Sequence, residues 1–103
     1  MSVLLEFAMF PTDKGESVSS EVSKVIAMIR NSGVSYKLSA MGTIIETDTL
    51  AEALNIVQKS NDILAINSNR IYSSIKLDIR KNTKKRLETK IQSIQNKIGN
   101  VDK

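Results

Sequence analysis

The chain predicts an α+β fold built on one antiparallel sheet, and three observations carry that expectation. Apolar residues recur at strand, helix, strand, strand, helix and strand spacing, in that order. The second and third strand patterns are separated only by a short turn around Gly42, which makes them a hairpin. A last amphipathic stretch follows a basic run beyond the final strand. This order is the split βαβ arrangement of a ferredoxin-like fold, βαββαβ with two helices on one sheet face and an extra C-terminal helix. The 103 residues suffice for one such domain, 1–103, and are few for two.

The first strand runs from Val3 to Phe10, almost wholly apolar with Glu6 its one charge, and stops at Pro11, which has no N–H for a ladder. Ser17 is a good N-cap for a helix whose Val18, Val22, Val25, Ile26 and Ile29 lie in one stripe, and Gly33 closes it. Val34, Tyr36, Leu38 and Ala40 then alternate with Ser35, Lys37 and Ser39, the period of a strand with one buried face. Ser39 to Gly42 turns the chain into the β-branched run Thr43, Ile44, Ile45, Glu46 and Thr47. Asp48 and Thr49 both suit the cap of a second helix over about 50–66, ended by Asn67, Ser68 and Asn69.

In the fourth strand Ile71, Ser73, Ile75, Leu77 and Ile79 face one way, while Tyr72, Ser74, Lys76, Asp78 and Arg80 face the other. Beyond it, in 80–101, come the basic stretch and a helix whose Leu87, Ile91, Ile94, Ile98 and Val101 recur every three or four residues. That narrow stripe is suited to docking on the sheet or on a partner. Strand one is too apolar for a sheet face open to water. The free face is therefore expected under the last helix, another subunit, or both.

Composition excludes much chemistry. The chain has no Cys and no His, which removes disulfides, thiolate nucleophiles, cysteine metal sites and the commonest general base near neutral pH. No G-x-S-x-G or Walker loop is present, so the expectation is a non-enzymatic protein with no catalytic residues, no metal and no cofactor. No apolar run approaches the roughly 18 residues of a membrane span, and Met1-Ser2-Val3 leads directly into a strand pattern. A cytoplasmic protein without membrane contact is expected. The net charge of +4 is uneven: from Lys76 onward nine Lys or Arg face three acids, giving +6 there and −2 before it.

Four stretches carry a family likeness: Leu5-Glu6-Phe7-Ala8-Met9-Phe10-Pro11; Lys14-Gly15-x-Ser17-Val18-Ser19; Tyr36-x-Leu38-x-x-Met41-Gly42-Thr43-Ile44-Ile45-Glu46; and Ile75-Lys76-Leu77-Asp78-x-Arg80. In order and spacing the chain resembles the small thiamine-binding, YkoF-like family over about its whole length. The resemblance implies a ferredoxin-like domain that pairs into homodimers and commonly dimers of dimers, hence a homotetramer. It also implies a ligand, thiamine or its hydroxymethylpyrimidine portion, and no catalysis. The implied ligand-binding residues are Glu6, Ser19, Tyr36, Met41, Gly42, Thr43 and Glu46. Thr47-Asp48 after Glu46 departs from the Gly-acid pair more usual there.

Each of these residues also has a plainer use. A carboxylate can meet an aminopyrimidine with two hydrogen bonds, whereas the plainer use of Glu6 and Glu46 is a salt bridge to Lys76 or Arg80. Gly42 either lets a ligand approach the backbone or is a turn residue with positive φ. Tyr36 and Phe10 either stack on a heteroaromatic ring or belong to the core. Ser17 and Ser19 are helix-cap residues first and anion contacts second. The run from Arg80 to Arg86 suits nucleic-acid phosphates, yet no aromatic residues interleave it. A solvated basic face or intersubunit ion pairs is the better expectation, and nucleic acid is an unlikely partner.

Overall fold

The computed structural model describes residues 1–15 and 18–102. Its elements are β1 (Ser2–Pro11), α1 (Ser19–Ser32), β2 (Ser35–Ser39), β3 (Gly42–Thr47), α2 (Leu50–Ala65), β4 (Ile71–Arg80) and α3 (Arg86–Ile98). The sheet order is β2-β3-β1-β4 with every neighbouring pair antiparallel. That is the ferredoxin-like arrangement the periodicities predict, with α3 as the extra helix.

The register decides which side chains meet. Leu5 stands opposite Ile45 and Leu77, and Phe7 opposite Thr43 and Ile75. Paired residues share a sheet face, so one face collects Val3, Leu5, Phe7 and Met9 of β1 with Ile45 of β3. These pack against Val25 and Ile29 of α1 and Ala53, Ile56 and Leu64 of α2 to form the core. Each of these Val, Leu, Ile, Phe and Met side chains contributes about 1.5–3 kcal/mol when fully buried. Glu6 therefore does not interrupt the core: as an even-numbered residue of β1 it points to the opposite face.

The helix ends follow local chemistry. The hydroxyl oxygen of Thr49 accepts from the Glu52 amide at 3.2 Å and caps α2. Gly33 takes φ 82° after α1, the left-handed C-cap that its position predicts. The expected cap Ser17 lies outside the described residues. The second helix ends at Ala65, with Ile66 as its cap, and Val101 falls beyond the end of α3.

The two edge strands differ from expectation. β2 was expected to bury one face, yet Leu38 is 61% exposed and Tyr36 is its only half-buried residue. α1 and α2 lie chiefly over the central strands and do not cover β2. At the other edge, Ile75, Leu77 and Ile79 of β4 turn toward the helix side but remain 43–46% exposed. Among the described residues β4 is the edge of the sheet, with no further strand beyond it.

The last helix accounts for part of the free face. α3 folds back over β1, β2 and β3, after Asn82 and Lys85 adopt left-handed backbone conformations with φ 61° and 56°. Leu87 and Ile91 become half-buried, whereas Ile94 and Ile98 stay exposed.

Candidate functional site

On the face away from α1 and α2, Leu4 stands opposite both Glu46 and Asp78, and Glu6 opposite both Ile44 and Lys76. Glu6 and Glu46 thus share a face as diagonal neighbours, and their partners differ. Glu46 accepts hydrogen bonds from the Ser2 hydroxyl and from the amides of Arg86 at 2.9 Å and Leu87 at 3.0 Å. Those amides belong to the first turn of α3, whose donors have no partner within the helix. A carboxylate there also meets the positive end of the helix dipole. Glu46 is therefore a cap supplied from a strand 40 residues away.

Burial works against the charged form of Glu46, but its bonds from Ser2, Leu87 and Arg86 outweigh that penalty and hold its carboxyl below the ordinary carboxylate range. Glu6 has a looser environment, with its nearest carboxylate oxygen 3.9 Å from Lys76 Nζ and its side chain half exposed. This is one of the plainer uses its position allows.

Arg86 is the functional surprise of the basic run, because it is 3% exposed. Its Nε donates to the Ser2 hydroxyl at 2.9 Å, and its Nη2 donates to the carbonyls of Ser2 at 2.8 Å and Asp78 at 2.5 Å. Nη1 completes the set with the Asp78 carboxylate at 3.0 Å. Lys90 and Arg86 together hold the Asp78 carboxyl below its usual range. So the basic stretch is not uniformly a solvated face: its last member ties the start of α3 to the ends of β1 and β4. The available sequence signal was its place immediately before Leu87, where the apolar stripe begins.

The other side of the sheet holds a pocket of about 380 Å³ between the start of α1, the end of β1 and the β2–β3 hairpin. Val18, Val22, Phe10, Met41, Gly42 and Thr43 are among its walls, and none of its described lining residues is charged. Met41 stands at the hairpin tip, 88% exposed, while Thr43 is buried. The Ser39 hydroxyl donates to the Gly42 carbonyl at 3.0 Å and accepts from the Met41 amide at 3.3 Å, which fixes the turn. Gly42 is not among the glycines with positive φ. Its requirement is steric: a Cβ there would sit 2.9 Å from the Phe7 carbonyl oxygen. The expected turn-type explanation gives way to a close approach of β3 to β1.

Of the seven expected ligand residues, Met41, Gly42 and Thr43 come together in this pocket. Ser19 does not serve as the expected cap: Val18 holds the N-cap position with no side-chain cap bond, and Ser19, the first residue of α1 beside the pocket, accepts from the Ser23 hydroxyl through its carbonyl at 2.5 Å. Tyr36 packs against the core from β2, and Glu6 and Glu46 lie on the opposite sheet face. Phe10 lies against Tyr72, ring centroids 5.8 Å apart. Among the described residues no cluster of three or more acidic, His or Cys side chains is placed to hold a metal ion, and no helix is long and apolar enough to cross a membrane.

Comparison with known proteins matches residues 5–95 to the family model described as thiamine-binding protein. A UPF0045 protein of Mycobacterium tuberculosis is 34% identical over 95 residues, covering 92% of this chain and 93% of the relative. Among solved structures, a hypothetical protein of Methanocaldococcus jannaschii superposes with a TM-score of 0.81 at 32% identity, covering 90% of this chain and 95% of that one. A domain of unknown function, DUF77, from Bacillus cereus gives 0.79 at 26% identity, with 94% and 93% covered. The match agrees with the likeness carried by the four sequence stretches.

Proposed function

We propose, from the premise that this chain belongs to the thiamine-binding protein family, that it binds thiamine through the hydroxymethylpyrimidine portion in the pocket between α1 and the β2–β3 hairpin. The observation that carries this reading is the meeting of Met41, Gly42 and Thr43 with the start of α1 around one small apolar cleft. A cleft of this size falls within the usual range for small-molecule sites, roughly 300–1,000 Å³. Its described walls carry no charge, which suits the neutral pyrimidine. The cationic thiazolium then stays at the mouth, in water.

Calorimetry tests the placement with thiamine and with hydroxymethylpyrimidine. Ala40 lines the pocket on the exposed hairpin, so Ala40→Trp is expected to abolish binding of both ligands, while Glu6→Gln leaves both affinities unchanged. No heat with either ligand on the wild type defeats the proposal. Loss of binding in Glu6→Gln with Ala40→Trp unaffected moves the site to the other sheet face. Glu46→Ala is a poor probe of the ligand, because it also uncaps α3.

The same proposal takes the protein to be a cytoplasmic binding protein rather than an enzyme, working as a homodimer or a dimer of dimers. Support for self-association comes from the exposed Ile75, Leu77 and Ile79 of β4 and from the uncovered end of α3.

A further inference from the structure

We propose that the groove between α3 and the open face of the sheet is a second binding site, for an amphipathic organic anion: a carboxylate carried on an apolar chain of medium length. The groove encloses about 550 Å³ and lies across the sheet from the pocket described above. Its floor is Leu4 of β1 and Ile44 of β3, and its wall is Leu87 and Ile91 of α3. Leu4, Ile44, Leu87 and Ile91 are each only half-buried, so α3 crosses this face without covering its aliphatic side chains completely.

Charge selects the ligand. Four cations line the groove, Lys37, Lys76, Arg86 and Lys90, against two carboxylates, Glu6 and Asp78. Asp78 is taken by Arg86 at 3.0 Å and Lys90 at 3.1 Å. The contact between Glu6 and Lys76, at 3.9 Å, is too long for a hydrogen bond. Lys37 has no ion-pair partner among the described residues. The surplus is positive, and its free member stands on β2, at one end of the groove. A carboxylate bound there by Lys37 sends its chain over Ile44 and Leu4 toward β4, three strand spacings or roughly 14 Å away. An apolar floor with one unpartnered cation at its end fits an amphiphile better than a compact inorganic anion, which would leave the aliphatic surface wet.

The test is a titration of the isotope-labelled protein with sodium decanoate below its micelle concentration, followed by amide chemical shifts. Shifts are expected at Lys37, Ile44, Leu87 and Ile91, with Val22 and Met41 unmoved. Lys37→Glu should weaken binding about tenfold, the loss of one charge-assisted hydrogen bond. Lys59→Glu, which makes the same charge change on exposed α2, should alter it less than twofold. The uncharged analogue decanol should bind more weakly than decanoate. Absence of saturable shifts, shifts confined to Val22 and Met41, equal effects of the two substitutions, or equal binding of decanol would each overturn the proposal.

Discussion

Glu46 uses both carboxylate oxygens on the first turn of α3, and so joins Arg86, Leu87 and Ile91 in holding the last helix to the sheet. Its replacement by Ala should cost about 0.5–2 kcal/mol, the range for losing a helix cap, read as a melting temperature lower by several degrees. Gly42 works by the opposite means, by being small. In Gly42→Ala the new methyl meets backbone, the Phe7 carbonyl, which has no rotamer by which to yield. A loss of about 1–3 kcal/mol is expected from this overpacking, measurable as a lower urea midpoint with an unchanged slope. Acid should act through the same residues. Glu46 and Asp78 have folded-state pKa values below their ordinary ones, so the stability they contribute is present above the unfolded pKa, about 4, and is lost as pH falls through the lower folded values. Thermal melts from pH 6 to pH 2 should show a falling melting temperature on the acid side, and Glu46→Gln should flatten part of that fall. A limb unchanged by the substitution would exclude Glu46 as its source.

α3 is an element of two halves. Its beginning is held by Glu46, the buried Arg86 and the half-buried Leu87 and Ile91. Its end carries Ile94 and Ile98, 51% and 72% exposed, on the same sequence stripe. Helical periodicity alone cannot distinguish the halves, since both obey it; contact with the sheet does. Hydrogen exchange on dilute protein should therefore find the amides of Ile94 to Ile98 less protected than those of Lys90 and Ile91. Equal protection throughout would show that the second half is also held. The edge strands teach a related lesson. β2 and β4 both alternate cleanly in sequence, yet Leu38, Ile75, Leu77 and Ile79 are all exposed because the helices cover the centre of the sheet.

Across the whole molecule the sheet is a partition. One side carries the core and the small pocket at the β2–β3 hairpin, whose described walls are uncharged, and the other carries α3 with a charged rim around an aliphatic floor. The exposed aliphatic stripe on β4 bears on the proposed homo-oligomer. Light scattering at micromolar concentration should give a mass of at least twice 11.4 kDa, and Leu77→Lys should lower it; a wild-type monomer would defeat that part of the proposal. The order of elements, the hairpin, a cap at Asp48 or Thr49, the stop at Gly33 and the limits of β4 were all legible in the chain, because residue periods and end signals act over a few neighbours. The family likeness was legible too, as residue types in a fixed order. The tertiary structure alone decided that Glu46 caps a helix, that Arg86 is buried in a run of surface cations, and that the expected ligand residues divide between two sheet faces. Those outcomes depend on strand register and on where α3 lands, which join residues some 40 to 84 positions apart, and no local pattern encodes contacts at that range.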